Sequence, residues 1–225
     1  MSAEPDSSSA AARTAVESAE EYFPEDSNEF GRGVSFFDAV YGFAATLLIA
    51  NLDAPPAEAW RDFDALLDSG IVDQLLGFVL SFAVIALFWR VNVRLTKNLR
   101  AMDGPTISAN LVASGLVIVI PFTTQGISDP ASNGYALPTA LYSLNIALAA
   151  LAQSAVALIA RRRGLEIDPP TGRANVLGIV DALLTPVVFG LSIPIALTLG
   201  PAAAQWSWAL LLVLLPISRK LASQP

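Results

Sequence analysis

Long apolar runs separated by short polar segments dominate the chain. A run of about 20 apolar residues is long enough to cross the hydrocarbon layer of a bilayer as an α-helix. The runs do not alternate apolar and polar residues, which favours helices, whose backbone groups pair within one segment. The pattern predicts an all-α integral membrane protein with six transmembrane helices, at residues 36–52, 74–93, 106–122, 135–160, 176–199 and 202–217.

The basic residues predict how these helices are oriented. Of the 13 Lys and Arg residues, only Arg61 follows the first, third or fifth run, and all the others fall on the opposite side. Because Lys and Arg concentrate in cytoplasmic loops, we expect both termini to be cytoplasmic. The chain is therefore predicted to be a multi-pass protein of the cell membrane.

Acidic residues concentrate at the N-terminus. Eight of the 20 Asp and Glu residues lie in the first 29 positions, among Ser and Ala. This composition is typical of disorder, and no basic start leads into an apolar stretch as in a signal peptide. We divide the chain into an acidic disordered cytoplasmic tail (1–30), a six-helix transmembrane domain (31–220) and a short cytoplasmic tail (221–225).

The chain has no cysteine and no histidine. Disulfides, thiol nucleophiles, imidazole bases and Cys/His metal sites are therefore excluded. Only Asp38 and Asp181 are acids placed within the runs, and neither lies in a protease-like motif. We expect no enzymatic activity, no cofactor, no bound metal and no nucleic-acid partner.

Polar and aromatic residues between the runs predict smaller features. Apolar side chains spaced by three or four, with acids between them, favour a short amphipathic helix at the outer surface, with an irregular acidic loop as the alternative. Its apolar residues are Trp60, Phe63, Leu67 and Ile71. Two prolines, Pro186 and Pro194, should bend the fifth helix, and Trp206 and Trp208 are expected at the membrane interface.

A cation and an acid stand at the start of the first apolar run. Asp38 lies six residues after Arg32, nearly two helical turns later. A charge inside a membrane span costs at least about 2.5–3.5 kcal/mol, so it marks either a functional site or a buried structural pair.

The same residues open a motif that resembles the transmembrane protein 175 potassium-channel family. The motif runs from Arg32 through Phe36 to Asp38, and Thr46-Leu47 follows in the same apolar run, about two helical turns later. The second run, with Phe88-Trp89, and the third, with Asn110 and a Pro-Phe end, resemble the corresponding helices of that family. The chain departs from the family pattern at Phe37, Phe43, Asn92 and Val93, which affects gating and selectivity more than the fold.

The resemblance implies a homotetramer in which the first helix lines a central pore. It further implies that Asp38 accepts hydrogen bonds in a polar network formed by Arg32, Asp38, Trp89, Asn92 and Asn110. Phe43, Leu47 and Ala50 are spaced four and three residues apart, so they share one helix face, with Thr46 beside them. The matched positions imply an apolar constriction with a hydroxyl layer; the alternative is that these residues only pack.

The function implied is a passive, potassium-permeable or potassium-selective cation channel in the lipid bilayer. The chain lacks Thr-Val-Gly-Tyr-Gly, so a filter of backbone carbonyls is excluded and a hydrophobic constriction is expected. Seven outer acids, opposed only by Arg61, would attract cations if they surround a pore, or they reflect a generally acidic exterior. They are Asp53, Glu58, Asp62, Asp64, Asp68, Asp73 and Asp129. A secondary, ion-coupled transporter is the alternative.

Overall fold

The computed structural model describes residues 22–222, which are predominantly helical. Within them, six helical segments are long and apolar enough to cross a membrane. This confirms the six predicted spans. Four are single helices: α1 (Asn28–Ala50), α3 (Ile71–Lys97), α6 (Ala136–Arg162) and α7 (Gly172–Leu199).

The third and sixth spans are each built from two helices. The third consists of α4 (Gly104–Ile118) and α5 (Ile120–Ser128), and the sixth of α8 (Pro201–Trp208) and α9 (Leu210–Ala222). The sequence ended the third span near Pro121, but the structure continues to Ser128. Pro121 lies in the first turn of α5. Backbone N–H groups in a first turn have no acceptor within the helix, so the N–H that proline lacks costs no hydrogen bond there.

The core forms where one face of α1 packs against the other helices. Phe37, Tyr41, Ala44 and Leu48, spaced by four, three and four residues, are buried along that face. The largest buried cluster joins this face to residues of α3, α4, α5, α6, α7 and α8.

Small residues and hydroxyls mediate the contact between α3 and α5. A Cβ atom placed on Gly77 would lie 2.5 Å from the Cβ of Ser128, so the two helices approach each other where a side chain is missing. One turn further on, the Thr124 hydroxyl donates to Ser81 Oγ at 2.7 Å, and Ser81 Oγ lies 3.1 Å from the Tyr142 hydroxyl.

A small sheet closes the end of the bundle that holds most basic residues, which we call the basic end. Strand β1 (Tyr22–Pro24) pairs antiparallel with β2 (Ala101–Asp103). A third segment adds an isolated bridge between Leu99 and Glu166, supported by hydrogen bonds from Arg100 N to Leu165 O and from Ile167 N to Asn98 O. The sequence analysis placed β1 in the acidic tail and predicted no strand at any of these segments.

The ordered chain begins inside the range that the sequence assigned to the tail. Both β1 and the first turn of α1 precede residue 31. Ser27 caps α1, accepting a hydrogen bond from Phe30 N at 3.2 Å. The rest of the predicted acidic tail, residues 1–21, and residues 223–225 lie outside the described part of the chain, and so does the prediction of disorder there.

At the opposite, acidic end, the predicted amphipathic segment forms two short helices. A 3₁₀ helix (Ala57–Arg61) precedes α2 (Phe63–Asp68), and Ile71 already belongs to α3. Trp60 and Phe63 are exposed, so an apolar face is present. Its placement at a membrane surface stays a prediction.

The last two spans contain the prolines and tryptophans singled out from the sequence. Helix α7 continues through both Pro186 and Pro194. Trp208 does not face outwards as a lipid anchor, because its ring is buried, with its centroid 5.3 Å from that of Phe189, and its Nε1 donates to Ser192 Oγ at 3.1 Å. Trp206, by contrast, is 79% exposed.

Candidate functional site

The face of α1 opposite its buried residues is uncovered. Phe43 is 70% exposed, and Thr46, Leu47 and Ala50 are exposed beside it. All four residues that the sequence singled out as lining a pore therefore lie together on the outward face of α1. In the chain from Tyr22 to Ala222, no other element packs over them.

The hydroxyl on this face has a defined orientation. Thr46 Oγ1 donates to the carbonyl oxygen of Phe43 at 2.9 Å, one turn earlier. Because its single proton is engaged by the backbone, the oxygen presents only lone pairs to its surroundings. A ring of such oxygens can replace part of the hydration shell of a cation.

The uncovered face extends along the whole of α1. Towards the basic end it includes Ala39, Phe36 and Arg32, which are all exposed. Arg32 makes no ion pair with Asp38 in the described part of the chain. The predicted contact between these two residues is therefore not made within a single subunit.

Asp38 instead binds α3. Trp89 Nε1 donates to Asp38 Oδ1 at 2.9 Å, and Asp38 is half-buried between the two helices. A hydrogen bond to a carboxylate is about twice as strong as one between neutral groups, so this contact helps to fix how α1 is rotated against α3.

Asn92 belongs to a different set of contacts, deeper in the bundle. Gln153 Nε2 donates to Asn92 Oδ1 at 3.4 Å, and the Tyr41 hydroxyl donates to Gln153 Oε1 at 3.1 Å. The sequence reading missed Tyr41 and Gln153. Two features of the sequence could have indicated them: Gln153 is a glutamine in the middle of an apolar run, and Tyr41 follows Asp38 by three residues.

Asn110 lies buried on α4 and joins neither set. Its Oδ1 atom has no hydrogen-bond partner among residues 22–222. The five residues predicted to form one network thus comprise an Asp38–Trp89 pair, a separate contact of Asn92, and two residues outside both.

At the basic end, ion pairs hold the chain segments together. Asp103 caps α4, accepting from Thr106 N at 3.0 Å, and also accepts from Arg163 Nε. Burial raises the pKa of Asp103, but hydrogen bonding by Thr106 and Arg163 lowers it more, and the net shift is downwards. Arg161 pairs with Glu166 at 3.0 Å.

The acidic end carries the seven predicted outer acids. Asp62 caps α2 through Ala65 N at 2.8 Å and pairs with Arg61 at 2.8 Å, and both contacts lower its pKa. Asp73 Oδ2 accepts from Asn133 Nδ2 at 3.3 Å. In the described chain, no group of three His, Cys, Asp or Glu residues is arranged to hold a metal ion.

Comparisons with known proteins agree with this architecture. A family model described as endosomal/lysosomal potassium channel TMEM175 matches residues 32–121. The crystal structure of a lysosomal potassium-selective channel TMEM175 homolog from Chamaesiphon minutus superposes with a TM-score of 0.64 and 18% identity, covering 88% of this chain and 100% of that one. A variant of the potassium channel MtTMEM175, crystallised with a nanobody–MBP fusion protein, gives a TM-score of 0.60 and 17% identity, over 90% and 97% of the two chains.

Two curated relatives are also similar. A potassium channel from Streptomyces collinus is 28% identical over 158 residues, covering 66% of this chain and 74% of the relative. A potassium channel from a Chryseobacterium species is 24% identical over 124 residues, and the match spans 54% of this chain and only 60% of the relative. The family model matches α1, α3 and α4, and nearly the whole chain shares the fold of the two solved channels, so this protein is similar to the TMEM175 family in sequence over residues 32–121 and in fold over most of its length.

Proposed function

We propose that the chain is one subunit of a passive, potassium-permeable cation channel, and that four copies assemble with α1 around a central pore. The observation that carries the proposal is the uncovered face of α1, on which Phe43, Thr46, Leu47 and Ala50 lie together. The potassium-channel names of both curated relatives support the same function.

In this assembly the apolar side chains of α1 form the constriction. Rings of Phe43 and Leu47 from four copies would leave a narrow apolar neck, which conducts when wetted and closes when it dewets. The outward lone pairs of Thr46 would supply the polar layer between them. Selectivity for potassium then depends on the width of this neck and on the hydroxyl layer.

The polar contacts hold α1 in place. Asp38 and Trp89 bind α1 to α3 within each subunit. Arg32 is exposed on the uncovered face, so in the assembly it is available to groups of a neighbouring copy. The cytoplasmic position of both termini, and of the basic end, is part of the same proposal.

Reversal potentials measured with purified protein in planar bilayers test the function. Under opposed K⁺ and Na⁺ gradients, a passive channel gives a current that does not saturate at low concentration and reverses at a potential set by the permeant ion. A saturating flux that requires a counter-ion would instead identify an ion-coupled transporter. No cation current would reject the proposal.

The absence of cysteine from the sequence allows a direct test of the pore face. Thr46→Cys and Leu47→Cys should each react with a charged, water-soluble thiol reagent and lose current, because the reactive thiolate forms only in contact with water. Leu197→Cys, at an exposed position of α7, is the matched control and should not react. Equal reaction at all three positions would contradict a pore along α1.

A further inference from the structure

The outward face of α3 changes from apolar to basic along its length. Arg90, Arg94 and Lys97 are spaced four and three residues apart, so they share one face over the last turns of the helix, and all three are exposed. The same face continues towards the acidic end through exposed apolar residues, which are Val79, Ala83 and Leu87.

This face points away from the rest of the subunit. The buried residues of α3 include Ile85, Phe88 and Asn92, which lie on the opposite side of the helix. Since no part of residues 22–222 covers the basic face, it meets whatever surrounds the subunit.

The three cations have no partners inside the subunit. Arg161 and Arg163 are bound to Glu166 and Asp103, and so stabilise the basic end itself. Arg90, Arg94 and Lys97, by contrast, make no ion pair and no side-chain hydrogen bond within the described chain. Their positive charge is left for an external anion.

We propose that an anionic phospholipid binds along this face, with its phosphate held by Arg90, Arg94 and Lys97. Its acyl chain would lie on the apolar residues that precede them. Guanidinium groups bind phosphate oxygens in pairs, and basic clusters at the end of a membrane helix attract anionic headgroups. The continuous apolar face favours a phospholipid over a soluble phosphate. A soluble phosphate has no acyl chain and would leave the apolar residues without a contact.

The position of the site connects it to α1. Arg90 follows Trp89, whose indole binds Asp38. A headgroup that orders the end of α3 therefore also restrains the residue that holds α1. This effect on conduction rests on the proposed channel function, whereas the binding itself does not.

Spin-labelled lipids test the binding on the purified full-length protein. In membranes suspended in a buffer of low ionic strength, we expect phosphatidylglycerol to be preferred over phosphatidylcholine at the protein surface. R90Q/R94Q should lower this preference by up to about 25-fold, since each of the two basic residues near the surface contributes roughly a fivefold attraction. R90K/R94K keeps both charges and should keep the preference, which separates loss of charge from misfolding.

The matched control removes two other exposed cations at the basic end. R162Q/R173Q changes the net charge equally but leaves α3 intact. If it lowers the preference as much as R90Q/R94Q, the attraction is general electrostatics and the site is rejected. An unchanged preference in R90Q/R94Q also overturns it. Lipid preference is measured without ion flux, so a result that rejects the lipid site does not by itself reject the channel proposal, and the two failures can be told apart.

Discussion

The contact between Trp89 and Asp38 joins α1 to α3 through one hydrogen bond of 2.9 Å. Trp89→Phe keeps an aromatic ring but removes the donor. We expect a loss of about 1–2 kcal/mol in the free energy of unfolding, near the lower range for a bond to a charged group because the pair is half-exposed.

The matched control for this change is Trp206→Phe, since Trp206 is 79% exposed and makes no comparable contact in the described chain. Denaturant unfolding in detergent micelles measures both variants. If the two changes cost the same, the Asp38–Trp89 bond does not stabilise the subunit.

Asp103 provides a pH-dependent contribution at the basic end. Its pKa in the folded protein lies below the ordinary value of 3.8. The carboxylate therefore stabilises the fold fully above pH 3.8, and this contribution is lost as the pH falls through the lowered pKa. Unfolding measured from about pH 7 down to about pH 3 should show a decline that Asp103→Asn lacks. Parallel pH profiles of the two proteins would contradict this role.

Single residues also show where sequence reasoning reaches its limit. The spacing of Phe43, Leu47 and Ala50 is enough to place them on one helix face, because helical periodicity is local. The partners of Asn92 could not be predicted in the same way. Gln153 is 61 positions away, and only the packing of α3 against α6 brings the two together.

At the scale of helices, the length of the apolar runs was sufficient to predict all six spans. The small sheet at the basic end was not predictable, since three-residue strands are held by backbone hydrogen bonds and leave no periodic pattern. The burial of Trp208 was not predictable for a related reason. Its partners Phe189 and Tyr142 lie on other helices, so no local signal distinguishes it from the exposed Trp206.

Helix packing gives a prediction at Gly77. Its Cα lies so close to α5 that an added Cβ would sit 2.5 Å from the Cβ of Ser128. Gly77→Ala should therefore force α3 and α5 apart and destabilise the protein by about 1–3 kcal/mol. Gly190→Ala, in α7, adds the same atom where nothing lies within 4 Å and should be neutral or stabilising. Thermal unfolding in detergent compares them; equal melting temperatures would refute the close approach.

For the whole molecule, the separation of charge between its two ends is the main electrostatic feature. The basic end holds its cations partly in ion pairs, at Asp103 and Glu166. The acidic end has seven carboxylates and one cation, Arg61, which is paired with Asp62. If four such subunits surround a pore along α1, as proposed above, the carboxylates of the acidic end would attract cations to its entrance.

This arrangement predicts that conduction depends on ionic strength. E58Q/D64N/D68N neutralises three exposed acids of the acidic end, and we expect it to lower cation current entering from that end by about two- to fivefold at about 0.01 M salt, where screening extends over about 30 Å. At about 1 M salt, with a screening length of about 3 Å, the variant and the parent should conduct equally. E25Q/E29Q/D168N removes the same charge at the basic end and should leave this current unchanged. A reduction of equal size at both salt concentrations would mean that the acids act on folding or assembly, and the electrostatic account of the acidic end would fail.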